Sequence, residues 1–75
     1  MQFLIVRARK RGTEKLVKDL SVLIDGEENG IVENLIKLDA GTVDISVNAA
    51  GADESTVDIE NTTQTRPMEV IIEID

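Results

Sequence analysis

Apolar and polar residues alternate with a period of two along several short segments of the chain. Val43, Ile45 and Val47 interleave with polar residues, and the same alternation recurs at Val57 and Ile59. Such a period places successive side chains on opposite faces of a strand, so each segment is typical of a strand with one buried face. Further apolar or alternating runs occupy residues 3–6, 20–24 and 70–74.

Turn residues separate these segments at regular intervals. Gly26 and Gly30 lie in the segment 25–30, and Gly41 closes the segment 39–41, which the pattern predicts to be a three-residue hairpin loop with Gly41 at positive φ. Turns every ~8–12 residues indicate an all-β sandwich or barrel. We therefore expect one domain over residues 1–75, folded as a small antiparallel β-sandwich of about six to seven short strands.

The segment 13–20 fits two structures. Its Thr13 could cap two helical turns, with Leu16 and Leu20 four residues apart. It could also be the returning strand of a hairpin with residues 9–12 at its tip, which would place Leu16, Leu20, Val22 and Ile24 on one face. Eight residues are few for an isolated helix, so the strand is favoured.

Composition excludes several kinds of chemistry. The 75 residues include no Cys, no His and one aromatic residue, Phe3. Zinc sites with Cys or His ligands, thiol nucleophiles and Ser-His triads are therefore excluded. The acidic pairs, such as Asp58 with Glu60, fall at outward positions of strands or in turns, where carboxylates are solvated rather than catalytic. We predict a non-enzymatic protein without cofactor or metal.

The segment 25–36 resembles a calcium-binding loop in part. Asp25, Glu27 and Asn29 fall at loop positions 1, 3 and 5, with Gly30 at position 6. Position 12, which requires a bidentate Glu, is Ile36, and strands rather than helices flank the segment. A hairpin turn explains the glycines without a metal ion, and we expect calcium to have no effect.

Charge is segregated along the chain. Residues 1–18 carry six basic residues against Glu14 alone, a balance of +5, whereas residues 19–75 carry two basic and fourteen acidic residues, a balance of −12. The basic run could contact phosphate or an anionic lipid. The preferred interpretation is that it lies beside acidic strands and neutralises them. The candidate contact residues are Arg7, Arg9, Lys10 and Arg11.

The turn pattern resembles that of PEGA-type domains. The resemblance rests on residues 20–27, in which a strand ends in Asp25-Gly26, on Gly30, and on residues 38–47, in which Gly41 opens a strand of alternating Val and Ile. The family's usual Pro-Gly before that strand is Ala40-Gly41 here. The resemblance implies a small β-sandwich related to transthyretin-like and carboxypeptidase-regulatory-like modules, with no catalytic residues to carry over.

These observations lead to two hypotheses of function. The first is a non-catalytic β-sandwich interaction or accessory module, with a protein partner or self-association. The alternative is a small acidic protein that acts as a polyanion mimic or inhibitor of a basic, nucleic-acid-binding partner. Binding to nucleic acid is not expected, because the net charge is −7 and no aromatic residues interleave with the basic run. No segment reads as a membrane span or signal peptide, so we expect a cytoplasmic location.

Overall fold

The computed structural model describes residues 1–75 and contains eight β-strands and no helix. The strands form two four-stranded sheets, which we call sheet A and sheet B. No helix is therefore present that could cross a bilayer. In chain order the strands are β1 (Gln2–Lys10), β2 (Leu16–Val17), β3 (Ser21–Ile24), β4 (Glu27–Ile31), β5 (Ile36–Leu38), β6 (Gly41–Val47), β7 (Ser55–Ile59) and β8 (Met68–Ile74).

Sheet A is built around β1, which has neighbours on both edges. On one edge β8 pairs with it in parallel over seven residue pairs. On the other edge β5 pairs antiparallel with the start of β1, and β2 pairs antiparallel with its end. Between β5 and β2 the N–H of Glu33 donates to the carbonyl of Val6 at 2.8 Å, so the connection between β4 and β5 fills the gap.

Sheet B is antiparallel, in the order β4-β3-β6-β7. A two-residue turn joins β3 to β4, and its residues Asp25 and Gly26 both have positive φ, 51° and 83°. This is the turn type that matches the twist of a hairpin. The carboxylate of Asp25 accepts the N–H of Asp44 at 2.9 Å, so this side chain links the turn to β6.

A bulge in β4 involves Gly30. The pairing of β3 with β4 shifts register between Ser21 and Leu23, which leaves an extra residue on β4. Gly30 has a φ of 84° at this point, as expected for the glycine of such a bulge. Its missing side chain also makes room for Ile36, whose Cγ1 would lie 2.8 Å from a Cβ at position 30.

The core lies between the sheets and consists of aliphatic side chains only. Twelve residues are buried, and none of them is polar or charged. Alternate residues of β1, β6 and β8 point inward, which is why a period of two predicts these strands. The buried residues are Leu4, Val6, Ala8, Val22, Val32, Ile36, Ile45, Val47, Ile59, Val70, Ile72 and Ile74.

The predicted all-β fold of two packed sheets is confirmed. The structure has eight strands rather than about six to seven, because the segments 27–31 and 36–38 are short strands that alternation alone does not reveal, and the segment 13–24 contains two strands, β2 and β3. One pair of strands, β1 with β8, is parallel in an otherwise antiparallel arrangement.

The segment 13–20 contains the short strand β2 and no helix, so the favoured alternative is confirmed. The predicted inward face is wrong at one position: Leu16 is 41% exposed, while Val17 and Leu20 pack against the core. Asp19 explains the difference, because its φ of 64° breaks the alternation between β2 and β3.

The predicted hairpin at residues 39–41 is wrong, because β5 and β6 belong to different sheets. The segment is instead the crossing from sheet A to sheet B. The positive φ predicted for Gly41 is present, at 145°, and Gly41 is the first residue of β6, opposite Ile59 of β7.

Replacement of Gly41 by valine is expected to lower the free energy of unfolding by about 1–3 kcal/mol, since a β-branched residue tolerates this φ poorly. A Cβ at this position would meet no atom within 4 Å, so backbone strain is the only cause. Urea unfolding of both proteins measures the difference. Equal midpoints would contradict the assigned backbone conformation.

Candidate interaction surfaces

The basic residues of β1 lie on the outer face of sheet A, beside acidic residues of β8. Arg7 and Arg9 alternate with buried residues, so both side chains point away from the core. Arg7 forms an ion pair with Glu69, and Arg9 donates to Glu73 at 2.7 Å. The parallel pairing of β1 with β8 brings these groups together although they are 62 and 64 residues apart in the sequence.

Arg11 forms the largest polar cluster of the molecule. It binds Asp53 with both terminal nitrogens, at 2.9 and 3.1 Å, and donates to the carbonyl of Gly51 at 3.0 Å. Its other contacts are longer: 3.5 Å to Glu73 and 3.4 Å to Asp75. A single guanidinium therefore joins the β1–β2 turn, the loop between β6 and β7, and the end of β8.

These contacts shift the pKa values of the groups involved. The hydrogen bond from Arg11 holds the pKa of the Asp53 carboxyl below its usual value, and the charge of Arg11 acts in the same direction. The hydrogen bonds that Arg11 and Arg9 donate to Asp53 and Glu73 raise the pKa values of both guanidinium groups. Arg9, Arg11 and Asp53 are thus charged at neutral pH.

Of the four predicted contact residues, three are therefore engaged within the molecule. Arg7, Arg9 and Arg11 each contact a carboxylate, whereas Lys10 is exposed and forms no ion pair. An open depression of about 250 Å³ lies beside them, lined by Arg9, Gly12, Thr13, Glu14 and Glu73.

The outer face of sheet B has the opposite character. Its four strands contain no Lys or Arg, and the acidic residues at or beside its outward positions have no cationic partner. Asp44 accepts a hydrogen bond from Thr56 at 2.6 Å. We call this surface the acidic face; its carboxylates are Asp25, Glu28, Asp44, Asp58 and Glu60.

Some features of these surfaces can be predicted from the sequence, and others cannot. The expectation that the basic run lies beside acidic strands agrees with the ion pairs of Arg7 and Arg9. The role of Asp53 was missed, because it lies in a loop and no spacing in the sequence relates it to Arg11. The acidic face could have been found by assigning strands to sheets, since every basic residue in a strand belongs to β1 or β5.

Comparison with known proteins gives no relative. No protein-family model, curated protein or solved structure matches the chain.

The pKa of Asp53 leads to an expected pH dependence. A carboxyl whose pKa is lower in the folded than in the unfolded state stabilises the protein above the unfolded pKa of about 3.9, and this contribution disappears as the pH falls through the folded value. The urea midpoint of the wild type should therefore exceed that of Asp53→Asn at about pH 6, and the difference should shrink towards pH 2. A difference that does not change with pH would contradict the ionic role of Asp53.

Proposed function

We propose that this protein is a non-catalytic interaction module of the PEGA-like β-sandwich type, and that its acidic face binds a positively charged protein partner. The observation that carries the proposal is the separation of charge between the two sheets. Arginine residues neutralise acidic side chains on sheet A, whereas sheet B has carboxylates without any basic residue in its strands. A surface of one sign attracts a partner of the opposite sign and orients its approach.

The form of the acidic face supports this proposal. Its hydroxyl residues Thr42 and Thr56 alternate with buried residues of β6 and β7. The main-chain N–H of Asp44 donates to the carboxylate of Asp25, and the hydroxyl of Thr56 donates to the carboxylate of Asp44, so two carboxylates of the face are held in place. Strands hold their side chains in more defined positions than loops do, which favours a specific contact. The carboxylates of the acidic face are exposed or half-buried, whereas acid–base catalysis requires a carboxyl in a perturbed environment, and this supports a binding role for the face over catalysis.

The test compares two triple variants that each remove three negative charges. In the face variant, Glu28→Gln, Asp58→Asn and Glu60→Gln neutralise the acidic face. In the control, Glu14→Gln, Asp19→Asn and Asp39→Asn remove the same charge from connections outside the strands of sheet B. All six residues are exposed, and none takes part in an ion pair.

The probe is poly-L-lysine, with binding measured by titration calorimetry at ~0.15 M salt. We expect the face variant to bind about tenfold more weakly than the wild type and the control variant to stay within about threefold. Equal losses in both variants would mean that net charge alone attracts the probe. That result, or no binding by the wild type, would contradict the proposal.

A polyanion mimic is the second candidate. The basic segment 1–18 argues against a mimic when it is considered alone, since it would repel a basic partner. In the structure Arg7, Arg9 and Arg11 are paired with carboxylates on the side of β8, so they do not offset the acidic face. A mimic should displace duplex DNA from a basic DNA-binding protein, and the face variant should lose this ability. Binding to poly-L-lysine without displacement of DNA would leave the interaction module as the better description.

A further inference from the structure

One edge of β8 carries main-chain groups without partners. Arg11 donates to the carbonyl of Ile74 across the pair β1–β8, at 2.7 Å, so the even-numbered residues of β8 direct their main-chain groups towards β1. The odd-numbered residues point the other way. Near the end of β8 the N–H of Asp53 covers this outer edge by donating to the carbonyl of Glu73 at 2.9 Å.

The remaining part of that edge is open. Glu69 and Ile71 form no main-chain hydrogen bond to another strand, loop or side chain on this side, since β8 pairs with β1 alone. The side chain of Ile71 is 50% exposed, more than that of any other large aliphatic residue in a strand. Open edges of this kind are templates for pairing with a further strand.

The features that usually prevent further pairing at a sheet edge are weak on β8. On the edge strand β4, the bulge at Gly30 and unpaired Glu residues prevent extension of the sheet. On β8 the two acidic side chains, Glu69 and Glu73, are already neutralised by Arg7 and Arg9. A strand that approaches β8 therefore meets little net charge.

We propose that the partner of this edge is β8 of a second copy of the chain, paired antiparallel with Val70 on the two-fold axis. In this register Glu69 of each copy lies opposite Ile71 of the other. Both residues direct their N–H and C=O groups outward, so all the open main-chain groups of these two positions are satisfied by the pairing.

Both ends of the open edge agree with this register. Pro67 has no N–H and precedes β8, while the carbonyl of Glu73 is occupied by Asp53. Position 67 lies opposite position 73 of the second copy when Val70 is on the axis. Pro67, which has no N–H to donate, therefore faces Glu73, whose carbonyl is already occupied. The paired segment ends at residues 68 and 72 in both copies.

The neighbouring registers are less favourable, because they place carboxylates directly opposite each other. With Ile71 on the axis, Glu69 would lie directly opposite Glu73 of the other copy, and with Glu69 on the axis it would face its own equivalent. Like charges directly opposite destabilise a strand pair. With Val70 on the axis each Glu69 faces an isoleucine and keeps its own Arg7. The placement of the carboxylates thus favours the same register as the open main-chain groups do.

The first experiment measures mass by sedimentation equilibrium from about 1 µM to about 1 mM. We expect the wild type to dimerise within this range. Ile71→Lys should remain monomeric, because a lysine at an exposed edge blocks pairing. The matched control is Ile31→Lys on β4, where the wild-type residue is 45% exposed, and it should dimerise like the wild type. A monomeric wild type, or a dimer that survives Ile71→Lys, would overturn the proposal.

The second experiment tests the register with single thiols, which the cysteine-free chain permits. Residues opposite each other at Val70 are separated by about 4.5 Å between Cα atoms, within the range that a disulfide spans. Two residues at position 71 would lie diagonally, about 7–8 Å apart. On mild oxidation Val70→Cys should therefore cross-link faster than Ile71→Cys, although the latter thiol is far more exposed. The reverse order would overturn the register. Neither experiment involves the acidic face of sheet B, so the failure of either would not contradict the proposed function.

Discussion

Replacement of Leu4 by alanine should lower the free energy of unfolding by about 2–5 kcal/mol, the largest effect expected of any single truncation here. Leu4 is fully buried at the centre of sheet A and belongs to the core between the two sheets. The core contains only twelve buried residues, all aliphatic, so neighbouring side chains have few ways to fill the cavity. For a domain with a stability of ~5 kcal/mol, this loss leaves about 0–3 kcal/mol, and at the upper end of the range about half of the molecules are unfolded.

Leu16→Ala is the matched control for Leu4→Ala, because the same atoms are removed from a side chain that is 41% exposed. We expect its urea midpoint to stay close to that of the wild type, within about 1 kcal/mol of unfolding free energy. Both variants are measured by urea unfolding with circular dichroism. If Leu4→Ala were as stable as Leu16→Ala, the assignment of β1 to the centre of the core would be wrong.

Replacement of Gly30 by alanine should destabilise the protein by about 2–4 kcal/mol, because two effects add at this position. The φ of 84° is unfavourable for any residue with a Cβ. The new Cβ would also lie 2.8 Å from Cγ1 and 3.0 Å from Cδ1 of Ile36, a buried residue that cannot move without disturbing the core.

Gly26→Ala separates the two effects. Its φ of 83° is almost the same, but a Cβ there would meet no atom within 4 Å. We expect Gly26→Ala to cost about 1 kcal/mol, from backbone strain alone. The double variant Gly30→Ala with Ile36→Ala should lose less stability than the two single variants together, since removal of Cγ1 and Cδ1 relieves the collision. Equal destabilisation by Gly26→Ala and Gly30→Ala would contradict the close approach of Ile36.

The sequence predicts those parts of the fold that depend on local patterns. Alternation identifies β6, β7 and β8, because each has one face on the core and one towards solvent. The Asp25-Gly26 turn could be recognised for the same reason: its residue types are those that tolerate positive φ. In these cases the physical cause lies within a few residues.

The features that could not be predicted depend on distant contacts. Turn residues at 39–41 look the same whether the chain returns to its own sheet or crosses to the other one, so the hairpin was the wrong choice between two locally equivalent structures. Pattern alone shows that β1 and β8 are strands but not that they pair, nor in which direction. The same holds for the candidate contact residues: the basic run identifies Arg11, but no local pattern identifies Asp53 as its partner.

The parallel pair β1–β8 also determines when the protein can fold. Residues that pair in this ladder are 64 positions apart, as Arg9 and Glu73 are, so the first strand cannot complete its sheet until the last strand has been synthesised. During translation β1 therefore remains exposed on one edge. Long-range pairing of this kind slows folding, typically to milliseconds or seconds. We expect a nascent chain that lacks β8 to stay sensitive to proteases, and the release of the final strand to be the event that protects the whole domain.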